Sequence, residues 1–169
     1  MQWDYTTDFL VVGSGAGGMT AAIVAKELGG ESLVIEKTEC YGGTTALSGG
    51  VVWIPNNDSM ADYGIDDSEQ DGLNYLQQVV GPDVAEEKLL TYVQRAKEMI
   101  RFMGERTPVA YVAADRYADY YPELEGGKSG GRSMDPVPIS RRKLGKEAKF
   151  QRQPPWKMEG FMKFAVTVN

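Results

Sequence analysis

The residues best suited to chemistry in this 169-residue chain are a glycine run, Gly13-Ser14-Gly15-Ala16-Gly17-Gly18, and one acid downstream of it, Glu36. Gly13, Gly15 and Gly18 fill the three glycine places of G-x-G-x-x-G. Gly13 permits a tight turn, Gly15 removes the Cβ that would hold a pyrophosphate away from the backbone, and Gly18 lets a helix pack closely on a strand. The unpaired N–H groups opening that helix then present partial positive charge to an anion. Glu36 stands about 20 residues on, where an acid accepts hydrogen bonds from ribose hydroxyls. Its negative charge disfavours a 2′-phosphate, so NADP is not expected. A glycine-rich turn with no ligand is the competing reading of the same run.

The segment after Glu36 bears on the choice of nucleotide. An NAD domain usually continues into further alternating strands and helices, whereas here Lys37 leads to the loop YGGTTALSGG, Tyr41 to Gly50. Backbone donors at Gly42, Gly43 and Gly49, with the hydroxyls of Thr44, Thr45 and Ser48, can wrap a pyrophosphate and a ribityl chain. This favours FAD over NAD. A purely structural glycine loop is the alternative.

These residues need elements to position them. Phe9 to Val12 is a short continuous apolar run that reads as a strand buried on both faces. Ala16 to Leu28 suits a helix ended by Gly29-Gly30, and Ser32 to Glu36 reads as a second buried strand. Strand, helix and strand in so short a span form the right-handed crossover of α/β folds. VVWIPNN, beginning at Val51, reads as part of a loop with short structured pieces. Asp67 to Val80 and Val84 to Gly104 read as helices, with Ser68 a possible cap and Gly81-Pro82 between them. In the second helix Leu89, Leu90, Val93, Ala96, Ile100 and Met103 recur at helical spacing and mark a core face. From Thr107 onward the chain reads mostly as loop with one strand, Val109 to Ala113. Arg141 to Lys149 is basic and reads as solvated surface, with contact to an anionic partner as the alternative.

Composition narrows the class. The chain is 42% hydrophobic and 25% charged, ordinary values for a soluble globular protein. Its net charge of −6 argues against general nucleic-acid binding. One cysteine, Cys40, and no histidine leave no set for Cys/His zinc ligation, so no metal is expected. The chain has no apolar run long enough for an integral membrane segment and its first residues lack the basic region of an export signal, so the expected compartment is cytoplasmic.

The blocks VVGSGAGGMTAA, VIEK, YGGTTALSGGVVWIPNN and ADYYPELEGGKSGGRSMDP, with RRKLG after them, resemble the 3-ketosteroid Δ1-dehydrogenases within the fumarate-reductase-like flavoproteins. The first two blocks are shared by many flavoproteins; WIPNN, DYYPE and GGRS are the specific ones. The resemblance implies an α/β fold with a Rossmann-like FAD-binding strand–helix–strand unit in residues 1–60. A helical and loop-rich region, 61–169, then leads into the catalytic, substrate-binding domain. It implies FAD contacts at Gly13, Gly15, Gly18, Glu36, Lys37, Gly43, Thr44, Thr45 and Ser48, and Ser14, Ala16, Gly17, Gly42 and Gly49 complete the expected set.

It also implies a catalytic role for Tyr120, the first tyrosine of DYYPE, which in the family assists a second tyrosine in removing a proton beside the 3-keto group. Flavin N5 takes a hydride from the neighbouring carbon, forming a ring-A double bond, and an external acceptor reoxidises the flavin. Taken without the family, Tyr120 reads as a half-buried loop tyrosine, with Tyr117 and Tyr121 as rivals. Family members are much longer, so the chain resembles an N-terminal fragment that is inactive alone. The alternatives are another fumarate-reductase-like activity (a Δ4-dehydrogenase, or a fumarate or enone reductase) and a non-catalytic nucleotide-binding protein.

Overall fold

A computed structural model describes residues 2–153. The end of the 61–169 region expected above, from residue 154 on, lies outside the described residues. The chain divides into two compact units: the residues up to Gly50 together with those from Ser140, and Val51–Ile139.

In the first unit β1 (Phe9–Val12) pairs in parallel with β2 (Ser32–Ile35), in register from Phe9 opposite Ser32 to Val12 opposite Ile35. Between them runs α1 (Ala16–Glu27), which ends as Leu28 and Gly29 donate back to the carbonyls of Val24 and Lys26. This is the crossover expected from the sequence, with the second strand one residue shorter. Gly18 sets how closely helix and strand pack. A Cβ there would lie 2.1 Å from the Gly13 carbonyl oxygen and 3.0 Å from Val11 Cγ1.

The strands are not buried on both faces as the apolar runs suggest. Only Val11 of β1 is buried, while Phe9, Leu10, Val12 and Ile35 are exposed. Val11 lies against α1, and the described residues place no further strand beside the pair. The first unit also carries a 3-10 turn, Thr45–Leu47, and a 3-10 segment, Arg141–Phe150, broken at Gly145. Tyr41 meets the end of that segment through a single parallel bridge to Gln151. Arg142, Lys143, Lys146 and Lys149 are exposed, which fits a solvated surface.

The second unit is an antiparallel sheet with two helices. β3 (Val52–Trp53), β4 (Tyr111–Ala113) and β5 (Ser133–Pro136) lie in the order β3-β5-β4. α2 (Glu69–Val80) opens on Ser68, whose hydroxyl accepts from the Asp71 N–H at 3.0 Å. Asp67, read from sequence as helical, stays outside that helix and is used as an ion-pair partner. α3 (Glu86–Arg106) buries Leu89, Val93, Ala96 and Met103, while Leu90 faces outward. Leu73 joins Leu89 and Val93 in one core cluster, and Ile54, Ala96 and Met134 form another. The turn after Ile54 is tied across the unit by buried Asn57, whose amide donates to the carbonyls of Ile54 and Gly131 at 2.8 Å each. Among the described residues no helix is long and apolar enough to cross a membrane.

Candidate functional site

The first unit assembles the glycine run, the acid and the second glycine loop around one side chain, Ser14. Its hydroxyl donates to Glu36 Oε2 at 2.5 Å and accepts from the Gly42 N–H at 2.9 Å. The Ser14 N–H also donates to Glu36 Oε2, at 3.1 Å. Thr38 N–H donates to the other carboxylate oxygen at 3.2 Å. The Ser14 hydroxyl foremost, then the Ser14 and Thr38 N–H groups, hold the Glu36 carboxyl at about 2. It is therefore ionised throughout the neutral range, an acceptor ready for hydroxyl donors.

No acidic residue in the first turn and no side-chain cap from Gly15 neutralise the start of α1. Gly13, at φ +94°, turns the chain out of β1 and donates to the Ile35 carbonyl at 2.7 Å. Gly43 passes so close that a Cβ on it would sit 3.4 Å from Gly15 Cα. Thr45 Oγ1 accepts from the Ala16 N–H at 3.0 Å, joining the second loop to the helix start.

Of the expected site residues, the structure thus gathers Gly13, Ser14, Gly15, Ala16, Gly18, Glu36, Gly42, Gly43 and Thr45 into one set of contacts. Gly17 follows in the first turn of α1. Lys37 and Thr44 are exposed, and Gly49 lies just past the loop's 3-10 turn. The Ser48 hydroxyl is engaged within its own loop, donating to the Thr45 carbonyl and accepting from the Gly50 N–H. An exposed helix start, a backbone approach free of Cβ atoms and an ionised acceptor fit the adenosine diphosphate part of a dinucleotide.

The second unit holds a constellation that sequence reasoning missed. Arg132, just before β5, is fully buried. Its Nε and Nη2 donate to Asp67 at 2.8 and 2.6 Å, and its Nη1 donates to Asp119 at 2.9 Å. The guanidinium carbon lies 5.3 Å from the Trp53 ring centroid and 5.6 Å from that of Tyr75. Trp53 stacks against Tyr75 and Tyr92, and its indole Nε1 donates to Asp119 at 2.6 Å. The Tyr92 hydroxyl donates to the Trp53 carbonyl. Lys128 adds an ion pair to Asp71 at 2.9 Å. The sequence signal lay in the quoted blocks: Trp53 belongs to WIPNN, Asp119 to DYYPE and Arg132 to GGRS.

Tyr120 follows buried Asp119 directly and is 84% exposed, so it is not the half-buried tyrosine that loop context alone suggests. Tyr117 and Tyr121 are also exposed. The Tyr117 phenol is pushed up, foremost by charge repulsion from Tyr120. Desolvation raises the phenols of Tyr75 and Tyr92.

The family described as "FAD binding domain" matches residues 8–158. The chain is 46% identical over 138 residues to the 3-oxosteroid 1-dehydrogenase of Mycobacterium tuberculosis (strain ATCC 25618 / H37Rv), covering 82% of this chain and 24% of that protein. Among solved structures it is similar to the 3-ketosteroid delta1-dehydrogenase from Sterolibacterium denitrificans in complex with 1,4-androstadiene-3,17-dione. That match has a TM-score of 0.83 and 44% identity, covering 88% of this chain and 26% of the other. A second similar structure is the 3-ketosteroid-delta4-(5alpha)-dehydrogenase from Rhodococcus jostii RHA1, with a TM-score of 0.66 and 25% identity, covering 89% of this chain and 35% of the other. The chain spans about a quarter of the length of the curated relatives it matches.

Proposed function

From the premise that the chain belongs to the FAD binding domain family, we propose that it is the nucleotide-binding portion of an FAD-dependent 3-oxosteroid dehydrogenase. The whole protein removes a proton beside a 3-keto group and a hydride from the adjacent carbon, introducing a ring-A double bond. FAD, when bound, supplies the hydride acceptor. The observation that carries the nucleotide half is the Ser14–Glu36–Gly42 junction, which sets an ionised carboxylate beside the start of α1. The similarity to 3-oxosteroid 1-dehydrogenases supports the steroid half.

The chain's own residues divide the work. Gly13, Gly15 and the first N–H groups of α1, through Ala16, Gly17 and Gly18, hold the pyrophosphate, and Glu36 accepts from the ribose hydroxyls. Gly42, Gly43, Thr44, Thr45, Ser48 and Gly49 line the path toward the flavin, with Lys37 beside the ribose. Residues 1–60 serve FAD and 61–169 lead toward the steroid. Tyr120 assists the base that takes the proton, since a ketone acidifies its α-carbon enough for a phenol pair to act. The proposal includes a steroid substrate, an external electron acceptor and a cytoplasmic location.

The test uses the whole protein from its full reading frame, incubated with 4-androstene-3,17-dione and an artificial electron acceptor. Mass spectrometry and NMR should show the 1,4-diene-3-one. Conversion of 5α-androstane-3,17-dione, supplied in parallel, to the 4-ene while 4-androstene-3,17-dione stays unchanged would favour a Δ4-type enzyme, like the solved relative matched at 25% identity. Flavin-containing protein that leaves both steroids unchanged would refute the steroid assignment.

A further inference from the structure

Tyr120 sits on an irregular stretch, Arg116 to Ser129, that contains neither helix nor strand. Tyr120 is 84% exposed, so packing around its ring does little to fix it. A reacting phenol must nevertheless be held within roughly 0.5 Å of its working position. What fixes Tyr120 is therefore its backbone, and the residues on both sides of it are tied down.

Asp119, on one side, receives Trp53 Nε1 at 2.6 Å, Arg132 Nη1 at 2.9 Å and the Lys128 N–H at 3.0 Å, and its own N–H donates to the Lys128 carbonyl at 3.0 Å. Tyr121, on the other side, donates its N–H to the Tyr75 hydroxyl at 3.2 Å. Beyond Lys128 on the same loop, the anchors come from three separate places: Trp53 from β3, Tyr75 from α2, and Arg132 from just before β5. Arg132 is in turn gripped through two hydrogen bonds by Asp67, so its guanidinium cannot rotate away from Asp119.

The cluster's make-up points the same way. Burying an arginine and two aspartates carries a large desolvation cost, and apolar residues of similar volume often match or exceed the stability of such a set. What an ionic network supplies that an apolar core lacks is direction: each hydrogen bond fixes the angle as well as the distance of its partner. Here the direction is delivered to the residue before Tyr120.

Resting on the reading of Tyr120 as the catalytic phenol, we infer that Trp53, Arg132 and Asp119, with Tyr75, are positioning residues that aim Tyr120 at the substrate. Trp53→Phe is the incisive variant. It keeps an aromatic ring at the position facing Tyr75, Tyr92 and Arg132 while removing the indole donor to Asp119 together with one of the two fused rings. Tyr75→Phe does the same on the far side by removing the hydroxyl that receives the Tyr121 N–H.

The experiment measures steady-state oxidation of 4-androstene-3,17-dione by the whole FAD-loaded protein, with rates normalised to bound flavin. The wild type is compared with Trp53→Phe, Tyr75→Phe, Tyr120→Phe and the Trp53→Phe/Tyr120→Phe double variant. Trp53→Phe and Tyr75→Phe should each lower kcat by roughly 10- to 100-fold with KM changed less than about twofold, as misplacement of a reacting group does. In the Tyr120→Phe background the Trp53→Phe effect should shrink to less than about twofold, because the group it aims is gone. A structural role alone would lower the melting temperature and give additive effects. Additivity in the double variant, or an unchanged kcat in both single variants while Tyr120→Phe is inactive, overturns the positioning role. Full activity in Tyr120→Phe would instead overturn the assignment of Tyr120 itself, and the inference with it.

Discussion

Glu36 shows how much chemistry one carboxylate can carry when a neighbouring serine is spent on it. The hydroxyl and N–H of Ser14, with the Thr38 N–H, hold its pKa at about 2 against an ordinary value of 4.5. The folded-state value lies below the unfolded one. Stability from this group is therefore present above the ordinary carboxylate range and is lost as pH falls from about 4.5 toward 2. Thermal melts across that range should show a steeper loss for wild type than for Glu36→Gln, and parallel curves would show that Glu36 adds nothing. Hydrogen bonds to an ionised acceptor are shorter and stronger than those between neutral groups. Glu36→Gln should accordingly weaken FAD binding about 10- to 100-fold, read by flavin fluorescence titration, and unchanged affinity would place the ribose elsewhere. Glu36 and the glycines were legible from spacing because each answers a local demand. The Ser14 hydroxyl's two-way link was not, since a serine inside G-x-G announces no partner 28 positions away. Asp119 and Arg132 stood in the blocks DYYPE and GGRS, but their joining with Asp67 was not legible, since only the fold shows that the three charges share one buried site.

At the scale of elements, the close approach of α1 to β1 is the feature most exposed to a single methyl group. Gly18→Ala would drive a Cβ to 2.1 Å from the Gly13 carbonyl oxygen, a backbone atom that cannot swing aside. Helix and strand would have to part, at a cost of about 3 kcal/mol, and the glycine turn would move with them. The expected result is a lower melting temperature together with reduced flavin content in the purified whole protein. A Gly18→Ala protein with full flavin and wild-type melting would mean that the two elements pack more loosely than described. The crossover unit, the Ser68 cap and the core face of α3 were readable because local periodicity and capping specify them. β5 was not readable. SMDP has neither alternation nor β-branched residues, and it becomes a strand only because Met134 pairs with both Val52 and Ala113. The burial expected of β1 also failed, because an apolar run shows that a face seeks cover without showing which residues provide it.

For the whole molecule, the exposed Phe9, Leu10, Val12 and Ile35 belong to a two-stranded parallel sheet, an arrangement that elsewhere has both faces covered. The chain spans about a quarter of the length of the curated relatives it matches. The chain expressed alone is expected to show no steroid turnover. The most direct measurement is the visible spectrum of the whole protein, purified with its flavin and mixed with 4-androstene-3,17-dione in the absence of oxygen. Absorbance near the flavin maximum should bleach as the steroid gives up its hydride, and Glu36→Gln protein should carry much less flavin to bleach. A whole protein that binds no flavin, or one whose flavin stays oxidised in the presence of the steroid, would contradict the reading of Ser14, Glu36 and Gly42 as half of a steroid dehydrogenase's flavin site.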